Sequence, residues 1–166
     1  MNIANYLSKI IPEVVAEAHC DIPCGIYEPT TAKIAAQTIL RMVMQMGELH
    51  PPEGFPASFD LGAMKAMANS MVRRVIEKEE QAEICKKEIV ILWTDFFKPE
   101  HVERHPHLHD MFWKAAKLVS KNKQEVNEDA ARALVAAVDE IAQVFYEVKG
   151  VPERYDAYKI LTDKLF

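Results

Sequence analysis

Glycine is scarce, at 5 in 166 residues, and cysteine scarcer, at 3. An odd, small number of thiols in a chain long enough to bury its own core argues against a disulfide framework and for reduced cysteines with metal or redox work. No apolar stretch approaches the ~20 residues a membrane span requires. There is no long basic run and no alternation of aromatic and basic residues, and the formal net charge is −5. Nucleic acid and membrane are therefore not expected partners. Few glycines beside plentiful Ala, Met, Glu and Lys favour helices over sheets. The length suits one domain.

The first segment, Met1 to Ala18, is mildly amphipathic and ends in Ala16-Glu17-Ala18, a small-residue pattern like that of a cleavage site. It has no basic start, and Lys9, Pro12 and Glu13 interrupt any apolar run. It reads as a non-secretory leader or an N-terminal helix, and the chain is expected in the cytoplasm.

Four stronger helical patterns follow. The first opens at Thr30 or Thr31 as N-cap, carries Ala32, Ala35, Ile39, Met42 and Met46 on one face, and stops at Gly47 before Pro51-Pro52. The second holds near-heptad spacing from Leu61 through Met64, Ala68, Met71, Val75, Ala82, Cys85 and Ile89 to Leu92. The third starts near Pro106 and buries Leu108, Met111, Ala115 and Leu118. The fourth is capped by Asn127, with Glu128 and Asp129 at the positive end of its dipole, and closes at Gly150 and Pro152. Its apolar face is Leu134, Val138, Ile141, Phe145 and Val148. Four one-sided helices joined by short polar loops predict an all-α, antiparallel up-down four-helix bundle. Residues Glu153 to Phe166 add a short extra helix, packed outside the bundle or against a neighbouring subunit.

His19, Cys20 and Cys24 lie within six residues, and Pro23, Gly25 and Pro29 keep that stretch out of a regular helix. A structural zinc ion takes four protein ligands, whereas three side chains are close here and a remote fourth such as His101 is not indicated. Thiolates combined with backbone or terminal nitrogens suit a square-planar ion such as nickel(II). Were the chain to begin at His19, its amine and the Cys20 amide would add two nitrogens, leaving the imidazole as an apical ligand.

The run His19-Cys20-Asp21-Ile22-Pro23-Cys24-Gly25-Ile26-Tyr27-Glu28-Pro29 resembles the nickel-hook signature of nickel superoxide dismutases. A second block, Val90-Ile91-Leu92-Trp93-Thr94-Asp95-Phe96-Phe97-Lys98-Pro99 followed by His101 and His109, is similar to that family too. The resemblance, which runs from His19 to Lys149, implies a leader (residues 1–18) that a protease removes just before His19. What remains, 19–166, would be one hook-plus-bundle domain assembling as a homohexamer. It implies one nickel per subunit, bound by the amine and imidazole of His19, the amide and sulfur of Cys20 and the sulfur of Cys24. Asp21 would hold the hook's shape, and Tyr27 would position a small anion or water above the metal. The implied activity is disproportionation of superoxide to oxygen and hydrogen peroxide by Ni(II)/Ni(III) cycling, with Tyr and water as proton carriers. With a negative net charge, any steering of superoxide falls to local cations such as Lys33 or Lys98.

Three departures stand out. Ala35 and Gln81 occupy positions where many members carry a Glu and an Arg that support the apical histidine, and Phe96 replaces a common tyrosine. The other reading of the chain is a non-catalytic metal-binding or thiol-redox bundle that keeps its leader, or a bundle acting by interaction alone. His101, His105, His107 and His109 read as a solvated loop and first turn, Cys85 as a buried inert thiol, and the Met-rich stripes, Trp93 and Trp113 as core or interface.

Overall fold

The computed structural model describes residues 25–166. The expected leader, 1–18, and His19, Cys20, Asp21 and Cys24 lie outside the described residues. Six α-helices follow in order: α1 Thr30–Gly47, α2 Leu61–Ile91, α3 Pro99–Arg104, α4 Leu108–Gln124, α5 Glu128–Val148 and α6 Arg154–Thr162. A π-helical turn, Leu92–Phe96, separates α2 from α3. Among the described residues there is no strand.

α1, α2, α4 and α5 close a ring in which each packs on two others. Neighbours run antiparallel. Lys78, midway along α2, reaches the end of α4 at Asn122, whereas Trp93 beyond α2 stacks on Phe112 near the start of α4. Likewise Lys33 at the start of α1 pairs with Asp139 on α5, and Lys149 after α5 reaches back to Tyr27. The expected bundle is what the chain builds.

α1 does not use a threonine cap. Pro29 holds that position without a side-chain bond, and Thr30 is the first helical residue. Its hydroxyl donates instead to the Glu28 carboxylate at 3.2 Å. Ala32, Ala35, Ile39 and Met46 are buried as the spacing predicts, whereas Met42 is half-buried.

α2 is capped by Asp60, whose carboxylate accepts from the Ala63 N–H at 3.1 Å. At 31 residues it outruns its 17- to 21-residue partners. Only its second half is therefore covered, at Lys78, Ala82, Cys85 and Ile89, and Val72, Val75 and Ile76 stay exposed. The expected stripe from Leu61 to Val75 is a half-exposed flank rather than core.

α4 begins at Leu108, not Pro106, which lies in the turn before the N-cap His107. Its buried face is Leu108, Phe112, Ala115 and Val119, one position round from the expected Met111 and Leu118, which are half-buried. The aromatic ring of Phe112 decides that register. It packs against both Trp93 and Phe97. α5 keeps its predicted cap, with the Asn127 side chain accepting from Ala130 N–H at 3.0 Å.

Two lysines sit inside the bundle. The Lys78 ammonium donates to the backbone oxygens of Asn122 and, at 2.8 Å, Lys123, satisfying carbonyls that the end of α4 leaves without helical donors. Lys33, fully buried, is held by Asp139 at 2.6 Å and by Asp163 at 3.1 Å. A buried ammonium is tolerated only when paired in this way. This corrects the expectation that Lys33 steers an anion: its charge is spent inside the protein.

α6 packs on the outside of α1 and α5. Its inward residues Tyr158 and Thr162 are buried, and the Tyr158 hydroxyl donates to Asp139 at 3.1 Å.

Candidate metal centre

The described chain starts where the hook segment turns into the bundle. Gly25 has φ +64°, a left-handed conformation that costs a side-chain-bearing residue and not glycine. Tyr27 then inserts into the bundle end with 7% of its surface exposed.

Its seat comes from the second sequence block. In the π-helical turn Phe97 N–H donates to the Leu92 oxygen at 3.1 Å, and the wider coil carries Asp95 and Phe96. The rings of Tyr27 and Phe96 lie 5.6 Å apart, and Phe96 also packs on Phe145 at 4.5 Å and Phe97 at 4.9 Å. The phenylalanine at 96 is thus a hydrophobic floor beneath Tyr27. Just after α5, the Lys149 ammonium donates to the Tyr27 backbone oxygen at 2.9 Å and lies over the Phe145 ring.

These residues enclose a cleft of about 370 Å³ lined by Gly25, Tyr27, Asp95, Phe96, Lys98, His101, Val148 and Lys149. Lys98 and Lys149 make it locally cationic, with Asp95 the acidic residue on its wall. Lys98 sits where a steering cation was expected. Lys149 was not singled out from the sequence; its place at the end of the last bundle helix gave no local signal.

His101 lies on α3 against Phe96 and Phe97. Its Nδ1 accepts the Lys98 N–H at 3.0 Å, so the neutral ring carries its proton on Nε2. Burial comes first in holding this imidazole below its ordinary range; Glu100 opposes the shift and Lys98 and Arg104 add to it. His109 is similarly engaged, accepting from Trp93 Nε1 at 2.8 Å. His109 and His107 are exposed in the first turn of α4 and the turn before it, as expected, whereas His101 is half-buried against the phenylalanines.

Burial inside α2 pushes the Cys85 thiol up to about 12, which makes it an inert core residue as expected. Among the described residues no three His, Cys, Asp or Glu side chains converge as a metal site. The expected donors His19, Cys20 and Cys24 lie upstream of Gly25, outside the described residues. Two thiolates beside an imidazole and backbone nitrogens are a donor set that fits nickel. Ala35 is buried on α1, and Gln81 on α2 donates to Glu77 at 3.0 Å, so neither leaves an unpaired buried charge.

The family model for nickel-containing superoxide dismutase matches residues 14–149. The chain belongs to that family. The superoxide dismutase [Ni] of Streptomyces seoulensis is 31% identical over 144 residues, covering 86% of this chain and 98% of that protein. Its counterpart from Streptomyces coelicolor is 29% identical over the same coverage. A solved native nickel superoxide dismutase aligns with a TM-score of 0.64 and 28% identity, covering 79% of this chain and 99% of that one. Another, with nickel ligation corresponding to the oxidised state, aligns with a TM-score of 0.63 and 30% identity. The match ends at residue 149, so α6 lies beyond the matched residues.

Proposed function

We propose that this chain is a nickel superoxide dismutase whose leader, 1–18, is removed before His19, and that His19, Cys20 and Cys24 hold one nickel ion per subunit. The observation that carries this reading is the family match over 14–149, with the hook motif leading directly into the cationic, Tyr27-lined cleft. When bound, nickel would supply a centre that takes an electron from one superoxide and gives one to the next. Two superoxide ions and two protons then yield one oxygen and one hydrogen peroxide.

The chain's own residues have distinct tasks. Lys98 and Lys149 concentrate a small anion at the cleft although the protein as a whole carries −5. The Phe96, Phe97 and Phe145 floor keeps bulk water from beneath Tyr27, and the Tyr27 hydroxyl orients the anion and passes a proton through ordered water. Asp21 holds the hook's turn. His101 Nε2–H is a further donor at the cleft wall.

The family resemblance supports assembly as a homohexamer, with the exposed flank of α2 as surface for it to cover. A cytoplasmic site of action is part of the proposal; among the described residues no helix is long and apolar enough to cross a membrane.

The test is superoxide consumption by protein beginning at His19 and reconstituted with nickel. Catalysis that needs nickel and is lost in Cys20→Ser and Cys24→Ser supports the proposal. Equal rates with and without the metal overturn it.

A further inference from the structure

Residues Tyr27 to Lys33 connect the candidate ligands to α1, and α6 grips that stretch at two places. At the start of α6, Arg154 Nη2 lies 3.2 Å from Glu28 Oε2, and its guanidinium covers the Tyr146 ring at 5.6 Å from the centroid. The Tyr146 hydroxyl donates to the same carboxylate, as does Thr30 at 3.2 Å. Just past the other end of α6, Asp163 takes the buried Lys33 ammonium at 3.1 Å, and Lys159 bridges Asp163 at 2.8 Å to Asp139 at 2.7 Å. Between these anchors Gln37 Nε2 donates to the Thr162 backbone oxygen at 3.3 Å. Both anchors thus close on the short stretch from 28 to 33, one at the start of α6 and one just past its end, and both lie beyond the family match.

We infer that α6 is a positioning clasp for the hook: Arg154 acting through Glu28, and Asp163 acting through Lys33, fix the base from which Tyr27 and the upstream ligands extend, and so slow the loss of nickel. The inference rests on the reading of His19, Cys20 and Cys24 as ligands. Residues 25–29 are the covalent route from the proposed ligands to α1. Ordering the attachment in advance removes conformations in which the ligands are dispersed. Arg suits the Glu28 site better than Lys because its planar group both pairs with the carboxylate and lies over Tyr146.

The experiment compares processed, nickel-loaded protein with Arg154→Met, Arg154→Lys, Asp163→Asn and a chain ending at Gly150, measuring nickel release to excess chelator beside thermal melting. Arg154→Met is expected to release nickel roughly tenfold faster at an unchanged melting temperature, the scale seen when groups supporting metal ligands are removed. Arg154→Lys is expected to recover part of the loss, and the shortened chain to exceed Arg154→Met. Hydrogen exchange at residues 26–33 in nickel-free protein gives a reading independent of the metal, with faster exchange expected in Arg154→Met. Wild-type release rates and wild-type exchange in these variants overturn the clasp. Faster exchange in variants of a wild type that takes up no nickel upholds the clasp and counts against the ligand reading instead.

Discussion

The Lys149 ammonium donates to the Tyr27 backbone oxygen at 2.9 Å, joining the end of α5 to the segment that leads out of the hook. Residues 122 positions apart are thereby fixed side by side. The same lysine lines the cleft, so one side chain both places Tyr27 and contributes positive potential beside it.

Tyr27→Phe keeps the ring on Phe96 and removes the hydroxyl. Stability should change little, while kcat/KM should fall about tenfold, the worth of roughly one well-placed hydrogen bond. Pulse-radiolysis rates set beside melting curves check this. A loss of stability equal to the loss of rate would mean that Tyr27 only packs.

Lys98→Met should lower kcat/KM and flatten its dependence on ionic strength, because steering by a fixed cation is screened by salt. Lys33→Met should leave the ionic-strength slope as it is. The two lysines were equal candidates from sequence, and their burial separates them: Lys33 is fully enclosed with Asp139 and Asp163. Parallel salt titrations of both variants decide between them.

Asp139→Ala removes the partner that Lys33, Lys159 and Tyr158 share. It leaves the buried ammonium with the exposed Asp163, and a cost of about 3–5 kcal/mol is expected from urea or thermal unfolding. The pH response of the clasp follows from Asp163. Although burial opposes it, Lys159 and Lys33 hold its carboxyl below the usual 3.8. A carboxylate depressed in the folded state contributes stability above its unfolded value and loses it as pH falls through the folded one. α6 should therefore stay docked at pH 5 and loosen only below about 3.8, as hydrogen exchange across α6 would report.

His101 works in the opposite chemical sense but with the same sign in pH. Its imidazole is held below 6.5, chiefly by burial, so the folded protein disfavours the charged ring. Stability from the neutral ring is present above 6.5 and declines as pH falls through the folded value. NMR titration of His101 should give a midpoint below 6.5, and His101→Gln should flatten the stability profile over that window.

The bundle was legible because α1, α4 and α5 each carry one apolar stripe, with caps such as Asn127 that act locally. What the pattern left out depends on tertiary context. Phe112 rather than Met111 faces inward because Trp93 and Phe97 meet it from another element. The first half of α2 reads like core and is not, since helix length sets how far partners can cover it. The π-helical turn at Leu92–Phe96 and the short α3 have no periodic signature. At the cleft, Tyr27 and Lys98 were visible as motif residues. Lys149, Arg154 and Asp163 were not, because each acts on a residue more than a hundred positions away. His19, Cys20, Asp21 and Cys24 were named from their spacing and the resemblance.

In the proposed mature protein, nickel sits at a chain beginning with His19. Intact mass with metal analysis on protein purified from its own host tests it most directly. The expected result is a chain that starts at His19 and carries about one nickel per subunit, the load that one His19, Cys20 and Cys24 set can hold. A chain that still starts at Met1, or one that carries zinc or no metal, would contradict it.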